Sequence, residues 1–123
     1  MQIWMICKNC ILDRVFPKGY SDFPDTVKRE IGFALYQAQI GSKYINAKPL
    51  KGFNGSGVLE IVSAYDSDTY RGVYTVRFNE SIYVLHTFKK KSKYGIKTPQ
   101  KEIDLIEQRL RMAQEHYAYS KGS

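Results

Sequence analysis

The segment from residue 58 to residue 88 limits the fold most tightly, because it holds three strand-like apolar runs with only short turns between them. The runs cover residues 58–65, 70–78 and 82–88, and the turns fall at 66–68 and 79–81. Connections this short join antiparallel neighbours, whereas parallel strands need a crossover of a dozen or more residues. We therefore expect a three-stranded antiparallel meander.

The middle run alternates between the two faces of the expected sheet. Positions 70, 72, 74, 76 and 78 point to one face, and positions 71, 73, 75 and 77 point to the other. Arg71 and Arg77 thus share a face that we expect to lie away from the main core. On an open sheet, two such arginines are ordinarily solvated side chains.

Helical periodicity flanks the meander on both sides. Between residues 25 and 40, apolar residues recur at Val27, Ile31, Ala34, Leu35 and Ala38. Asp25 is the expected N-cap of this helix and Gly41 its stop. A second helix is expected to begin with Thr98 as N-cap and Pro99 in the first turn, and its apolar stripe is Ile103, Ile106, Leu110, Ala113 and Tyr117.

Together these elements predict an α+β fold over a single domain, residues 1–123, with a frayed tail at 120–123. An N-terminal strand is expected at residues 2–6 and a short helix at 9–16. The strand and helices pack on an antiparallel sheet that keeps one face open, and a helix ends the chain.

Positive charge is concentrated immediately after the third strand. The chain has a formal net charge of +7, and residues 81–101 contain six lysines and no acidic residue. A focused patch of this kind indicates an anionic partner, since lysines bind phosphates and Tyr94 or Tyr83 could stack on a base. A solvated lysine-rich turn is the simpler alternative.

The sequence gives little reason to expect a metal, a cofactor or a membrane span. Cys7 and Cys10 form one C-x-x-C pair, and His86 and His116 lie far from it and from each other. No stretch approaches the roughly 20 apolar residues of a membrane helix, and the N-terminus lacks the pattern of a signal peptide. We expect reduced cysteines, no metal or small-molecule cofactor, and a cytoplasmic location.

Three segments within residues 23–113 carry a family resemblance: ALYQAQIGSKYINAKPLKGFNGSGVLEI, DTYRGVYTVRF and IYVLHTFKKKSKYGIKTP. Together they resemble the RelE/ParE toxin superfamily, most of all its HigB-like, phage-derived branch. It implies a microbial ribonuclease-like α+β fold and the toxin of a type II toxin–antitoxin system. It further implies cleavage of messenger RNA on the ribosome, and neutralisation by a co-expressed helix-turn-helix antitoxin.

The resemblance also assigns roles to individual residues. Attack of a ribose 2′-hydroxyl on the adjacent phosphate needs a base, an acid and cations near the charged phosphorane. The matched positions imply catalytic roles for Arg71, Lys91 and Tyr94. Nucleic-acid binding is assigned to the remaining basic positions, which are Arg77, Lys89, Lys90, Lys93 and Lys97.

Glu60 and His86 have simpler interpretations than catalysis. Glu60 is a candidate base, but we expect it to pair with Arg71 across the sheet. His86 titrates in a useful range, but its shared parity with Ile82, Val84 and Phe88 favours a half-buried histidine whose hydrogen bonds are satisfied.

One departure from the family pattern keeps other functions open. The first meander strand, VLEIVSAY, has no lysine or arginine, whereas relatives carry basic residues there. The chain could therefore be a non-enzymatic inhibitor of DNA gyrase, as in the ParE branch. It could also be a degenerate relative that only binds nucleic acid or a partner helix.

Overall fold

A computed structural model describes residues 4–7, 20, 22–53, 57–78, 81–90 and 98–122. Its elements are β1 (Trp4–Cys7), α1 (Asp25–Gln39), β2 (Lys48–Pro49), β3 (Val58–Tyr65), β4 (Asp68–Thr75), β5 (Ser81–Lys90) and α2 (Gln100–Gly122). The helix expected at 9–16, Cys10 and positions 79–80 lie outside the described residues.

The strands form one five-stranded sheet in the order β1-β5-β4-β3-β2, with every neighbouring pair antiparallel. This confirms the predicted meander and the N-terminal strand, and gives an α+β fold. Asp66 and Ser67 form the two-residue turn between β3 and β4, with φ values of 50° and 70°. Positive φ at both central residues is the type I′ geometry that matches the twist of a hairpin.

Helix α1 covers one face of the sheet with the apolar side that its periodicity predicted. Its buried residues pack with Ile61, Tyr74 and other side chains of β3, β4 and β5. The helix ends in a Schellman motif, since Gly41 has φ +86° and the Ser42 N–H donates to the Gln37 carbonyl at 2.7 Å. The predicted stop is confirmed, whereas the N-cap is Pro24 rather than Asp25.

Helix α2 covers the other face, so the expectation of an open sheet face is wrong. Ile106 and Ala113 are buried against residues of β4 and β5 in a second core cluster. The helix starts at Gln100, and the Pro99 carbonyl accepts from the Glu102 and Ile103 N–H groups, which places the N-cap one residue later than predicted. The helix ends at Gly122.

A β-bulge in β5 changes which residues face α2. Val73 of β4 lies opposite His86, whereas the next residue, Tyr74, lies opposite Val84, so Leu85 is the additional residue. Val84 belongs to the core beneath α1, and Leu85 belongs to the core beneath α2. His86 therefore faces α2, and the predicted parity that grouped it with Ile82 and Val84 is wrong.

Strand β4 ends at Thr75, three residues earlier than predicted. Phe78, assigned by alternation to the same face as Tyr74, packs instead in the cluster beneath α2. Arg77 is exposed in the segment that follows the strand, while Arg71 is buried. The two arginines therefore do not form the pair on one strand face that the alternation predicted.

Candidate nucleic-acid interface

Arg71 lies on the α2 face of β4 at the margin of the core. Its side chain is 4% exposed and its Nη1 donates to Glu60 Oε2 at 2.9 Å, on the neighbouring strand. The same nitrogen donates to Thr98 Oγ1 at 3.2 Å. The expected pairing of Glu60 with Arg71 is confirmed, and the guanidinium is held at a fixed position by two separate elements.

The α2 face is only partly covered around Arg71. In register, Val62 of β3 and Phe88 of β5 lie on either side of it. Val62 is 42% exposed although it belongs to the same face. Among the described residues, the cover of this face is therefore incomplete at Val62, and we call the region formed by Arg71, Val62, Phe88 and Lys90 the open end of the α2 face.

Lys89 and Lys90, the last two residues of β5, lie on opposite faces of the sheet. Lys90 pairs in register with Thr69, so it lies on the α2 face, diagonally adjacent to Arg71. Diagonal neighbours of this kind are separated by roughly 7–8 Å between Cα atoms. Of the lysines predicted to share a groove with Arg71, Lys90 lies on the same face of the sheet as Arg71.

Lys89 lies on the α1 face, away from Arg71. Its Nζ is 3.1 Å from Asp68 Oδ2 and 5.8 Å from the centre of the Tyr70 ring. The hydrogen bond to Asp68 raises the pKa of Lys89, so the ammonium stays charged. The neighbouring lysines therefore provide a natural comparison between the two faces.

Positions 91–97 connect two residues that both lie beside Arg71. Lys90 precedes them at the end of β5, and Thr98, the hydrogen-bond partner of Arg71, follows them. Four predicted site residues, Lys91, Lys93, Tyr94 and Lys97, fall in this stretch and lie outside the described residues.

Two other predicted contacts lie apart from Arg71. Arg77 is exposed beyond the end of β4, with its Cζ 6.0 Å from the centre of the Phe78 ring. Tyr83 is fully buried and its hydroxyl forms a hydrogen bond with His116 Nδ1 at 2.8 Å, so it cannot stack on a base. The expectation of a stacking role for Tyr83 is therefore wrong.

A second polar cluster lies under α2, centred on His86. Its side chain is 12% exposed, and Arg109 Nη1 donates to His86 Nδ1 at 3.1 Å and to the carbonyl of the bulged Leu85 at 2.9 Å. Because Nδ1 accepts, Nε2 carries the proton of the neutral ring and donates to Glu102. The expectation of a half-buried histidine with satisfied hydrogen bonds is confirmed.

Burial lowers the pKa of His86 below its ordinary value, although hydrogen bonding and charge from Glu102 oppose the shift. Arg109 adds to the lowering, since a second cation beside the ring disfavours protonation. Near neutral pH the cluster therefore consists of a neutral imidazole between a carboxylate and a guanidinium. This arrangement anchors α2 on β5.

Sequence reasoning missed Thr98, Glu102 and Arg109 as members of these clusters. The available signal was the spacing of the two charged residues, since positions 102 and 109 share a helix face with Ile106. Charges that interrupt an apolar stripe indicate buried polar partners on the facing element. Which partners they meet depends on the bulge, which the sequence pattern did not reveal.

In the part of the chain that the structure describes, no group of three or more histidine, cysteine or carboxylate side chains is placed to hold a metal ion. No helix among these residues has the length and hydropathy needed to span a membrane.

Comparison with known families agrees with the resemblance seen in the sequence. Residues 20–111, about three quarters of the chain, match the family described as "Phage derived protein Gp49-like (DUF891)". No curated protein and no solved structure matches the chain significantly. The chain therefore belongs to the Gp49-like family of phage-derived proteins, a RelE/ParE-like family associated with the toxins of toxin–antitoxin systems.

Proposed function

We propose that this chain is the toxin of a type II toxin–antitoxin system of the HigB-like branch, and that it cleaves messenger RNA on the ribosome in the cytoplasm. Its proposed partners are translated messenger RNA and a helix-turn-helix antitoxin. The observation that carries the proposal is the position of Arg71 and Lys90 on one face, at the open end of the sheet. Membership of a toxin-associated family supports it.

In this proposal the open end binds the RNA backbone. Lys90 attracts phosphate as a point charge, whereas Arg71 presents a fixed fork of N–H donors near the scissile phosphate. The phosphorane formed by attack of the 2′-hydroxyl carries additional negative charge, which a preorganised cation stabilises more than it stabilises the ground state.

Proton transfer is assigned to the segment 91–97, which lies in sequence between Lys90 and Thr98. Lys91 is proposed to protonate the leaving 5′ oxygen, and Tyr94 to orient the nucleotide. Lys93 and Lys97 would extend the phosphate contacts. A catalytic base is not assigned, because Glu60 is engaged by Arg71 and His86 lies under α2.

A second candidate function is inhibition of DNA gyrase without RNA cleavage. Two observations favour it: β3 carries no lysine or arginine, and Glu60 already neutralises Arg71. A non-enzymatic inhibitor would use the basic surface for binding alone. Growth arrest without new RNA ends would identify this function.

The experiment that tests the proposal is induction in cells with genome-wide mapping of RNA ends. Wild type is compared with Arg71→Lys, which keeps a cation for Glu60 but removes the fork of donors. Arg77→Lys is the matched control, because the same change is made at an exposed arginine outside the open end.

We expect growth arrest and new cuts inside translated messages with wild type and Arg77→Lys, and loss of both with Arg71→Lys. Cuts that persist in Arg71→Lys would refute the role of this residue. Absence of both arrest and cuts in wild type would refute the toxin assignment and leave a degenerate binding protein.

A further inference from the structure

The short edge strand β2 places a lysine on the α2 face of the sheet. Lys48 lies directly opposite Glu60 of β3 in the antiparallel register. The side chains of directly opposed residues project to the same face, and the Glu60 carboxylate meets Arg71 on the α2 face. Lys48 therefore shares this face with Arg71, and it is exposed to solvent.

Lys48 keeps the β2 side of Arg71 positively charged. Among the residues that the structure describes, Lys48 forms no ion pair, while Glu60 Oε2 accepts from Arg71 Nη1 at 2.9 Å. The Glu60–Arg71 pair is neutral as a whole, so it attracts an anion only weakly from a distance. With Lys48 beside the pair, two cations face a single carboxylate and the group has a net positive charge.

Lys48, Arg71 and Lys90 lie on one diagonal across the strands, which we call the cation diagonal. Lys48 lies level with Val73 of β4, two strands away, and Lys90 lies level with Thr69 of β4, on the adjacent strand. Arg71 is midway between those two β4 positions. At about 4.8 Å between strands and about 3.4 Å per residue, the Cα atom of Lys48 is about 12 Å from that of Arg71 and about 20 Å from that of Lys90.

The cation diagonal fits an extended polyanion. Cations spread along its whole length cannot converge on one small anion, whereas a nucleic-acid backbone presents phosphates at successive positions. The diagonal crosses the strands, so an acidic peptide lying along it could not also pair with the sheet edge as a further strand. Val62 of β3, 42% exposed between Lys48 and Arg71, offers an apolar contact to a ribose or a base.

We propose that Lys48 binds a backbone phosphate of the RNA strand held at Arg71, so that this strand crosses the sheet diagonally from β2 to β5. Lys48 and Lys90 then bind phosphates on opposite sides of the phosphate at Arg71. Lys48 acts as a point charge and positions the backbone without reading the identity of a base. This inference deepens the proposed function and rests on it only in taking RNA as the polyanion.

The first test measures binding of a short single-stranded RNA whose 2′-hydroxyls are methylated, which blocks the proposed cleavage. Full-length wild type, Lys48→Gln, Lys48→Arg and Lys43→Gln are titrated with this RNA over a range of salt concentrations. Lys43→Gln is the matched control, because it removes the same charge from an exposed lysine that lies beside Leu59 and Tyr74 on the α1 side of the sheet. Thermal melting confirms that each variant is folded.

The slope of log K against log salt concentration reports the number of phosphate contacts, at about −0.7 for each contact with a single strand. Lys48→Gln should weaken binding and make the slope shallower by about 0.7, and Lys48→Arg should restore the wild-type slope. Lys43→Gln should keep the wild-type slope. An unchanged slope in folded Lys48→Gln would overturn the proposal, and so would equal changes in Lys48→Gln and Lys43→Gln, which indicate a general effect of charge.

Cleavage on ribosomes programmed with a defined message separates this inference from the proposed function. A contact away from the scissile phosphate is present in both the ground state and the transition state, so Lys48→Gln should raise KM and leave kcat near that of wild type. If wild type cleaves and Lys48→Gln matches it in both slope and KM, the Lys48 contact is refuted while the proposed function stands.

The opposite result is equally informative. If wild type does not cleave, but Lys48→Gln alone makes the salt slope shallower, the cleavage function is refuted while the path of the RNA across the sheet stands. If wild type shows no salt-dependent binding of the methylated RNA, the Lys48 proposal is overturned whatever the cleavage assay gives.

Discussion

Arg71 has a structural role that is separable from its proposed chemical role. Its guanidinium and the Glu60 carboxylate, 4% and 16% exposed, form an ion pair largely removed from solvent. Loss of one partner from such a pair leaves the other charge uncompensated, whereas an apolar pair of similar volume avoids that penalty. A simple alanine substitution therefore confuses loss of activity with loss of fold.

We predict that Arg71→Ala lowers the free energy of unfolding by about 3–5 kcal/mol, because it leaves the Glu60 carboxylate largely buried without its cation. The double variant Arg71→Met/Glu60→Leu should recover most of this loss while remaining inactive. Urea denaturation measures the free energy of unfolding of the single and of the double variant. Lys89→Ala breaks an exposed pair and should change stability much less. A double variant no more stable than Arg71→Ala would show that the pair does not carry the stability.

His86 should make the stability of the fold depend on pH. Its pKa is lowered in the folded chain, so the unfolded chain binds the proton more readily and protonation favours unfolding. The contribution is fully present above the ordinary histidine pKa of about 6.5 and is lost as pH falls below it. Protonation also places an N–H at Nδ1, where Arg109 now donates.

The corresponding measurement is urea unfolding between about pH 7.5 and 5.5, the range in which an ordinary histidine titrates. Wild type should lose stability as pH falls, and His86→Gln should lose less over the same range. Other titrating groups are common to both proteins, so the difference between the slopes reports His86. Equal slopes, or a steeper loss in the variant, would contradict the assigned neutral ring.

At the scale of elements, the helices and the meander were predictable because each has a strong local pattern. The apolar spacing of α1 matches its buried residues, and Gly41 forms the expected left-handed stop. The connections between β3, β4 and β5 are too short for the crossover that parallel pairing needs, so antiparallel pairing was predictable. Elements whose geometry depends on residues close in sequence could therefore be predicted from the sequence.

The side of the sheet that each residue faces was less predictable, because it depends on long-range register. The alternation of side chains along a strand assigned Arg71 to the correct face of the sheet, but it assigned His86 to the same face as Ile82 and Val84. One additional residue, Leu85, reverses the alternation along β5, and a slip of one residue exchanges the faces. The apolar stripe of α2 indicated that the helix packs on the sheet, but it did not indicate which strands the helix covers.

The turn between β3 and β4 offers a prediction at this scale. Ser67 adopts φ 70°, a left-handed conformation that is unfavourable for most residues with a side chain. Ser67→Gly removes that strain and should raise the free energy of unfolding by about 0.5–1 kcal/mol. Thermal or urea unfolding tests this. Ser63→Gly, at a buried strand position, should be destabilising, and a loss of stability in Ser67→Gly would contradict the turn assignment.

At the scale of the whole molecule, the two faces of the sheet differ in the charges they carry at the end of β5. Lys90 lies on the α2 face with Arg71, while Lys89 lies on the α1 face. The concentration of lysines was visible in the sequence, and so was the pairing of Arg71 with Glu60. The contact with Thr98 and the separation of Lys89 from Lys90 required the three-dimensional register.

The most direct test of RNA cleavage at the open end compares two adjacent lysines in a purified system. Wild type, Lys90→Gln and Lys89→Gln are incubated with ribosomes programmed with a defined message, and cleavage rates are read from mapped RNA ends. We predict that Lys90→Gln slows cleavage roughly tenfold or more, as loss of a transition-state charge contact does, while Lys89→Gln stays near wild type. No cleavage by wild type, or equal losses in both variants, would contradict the account.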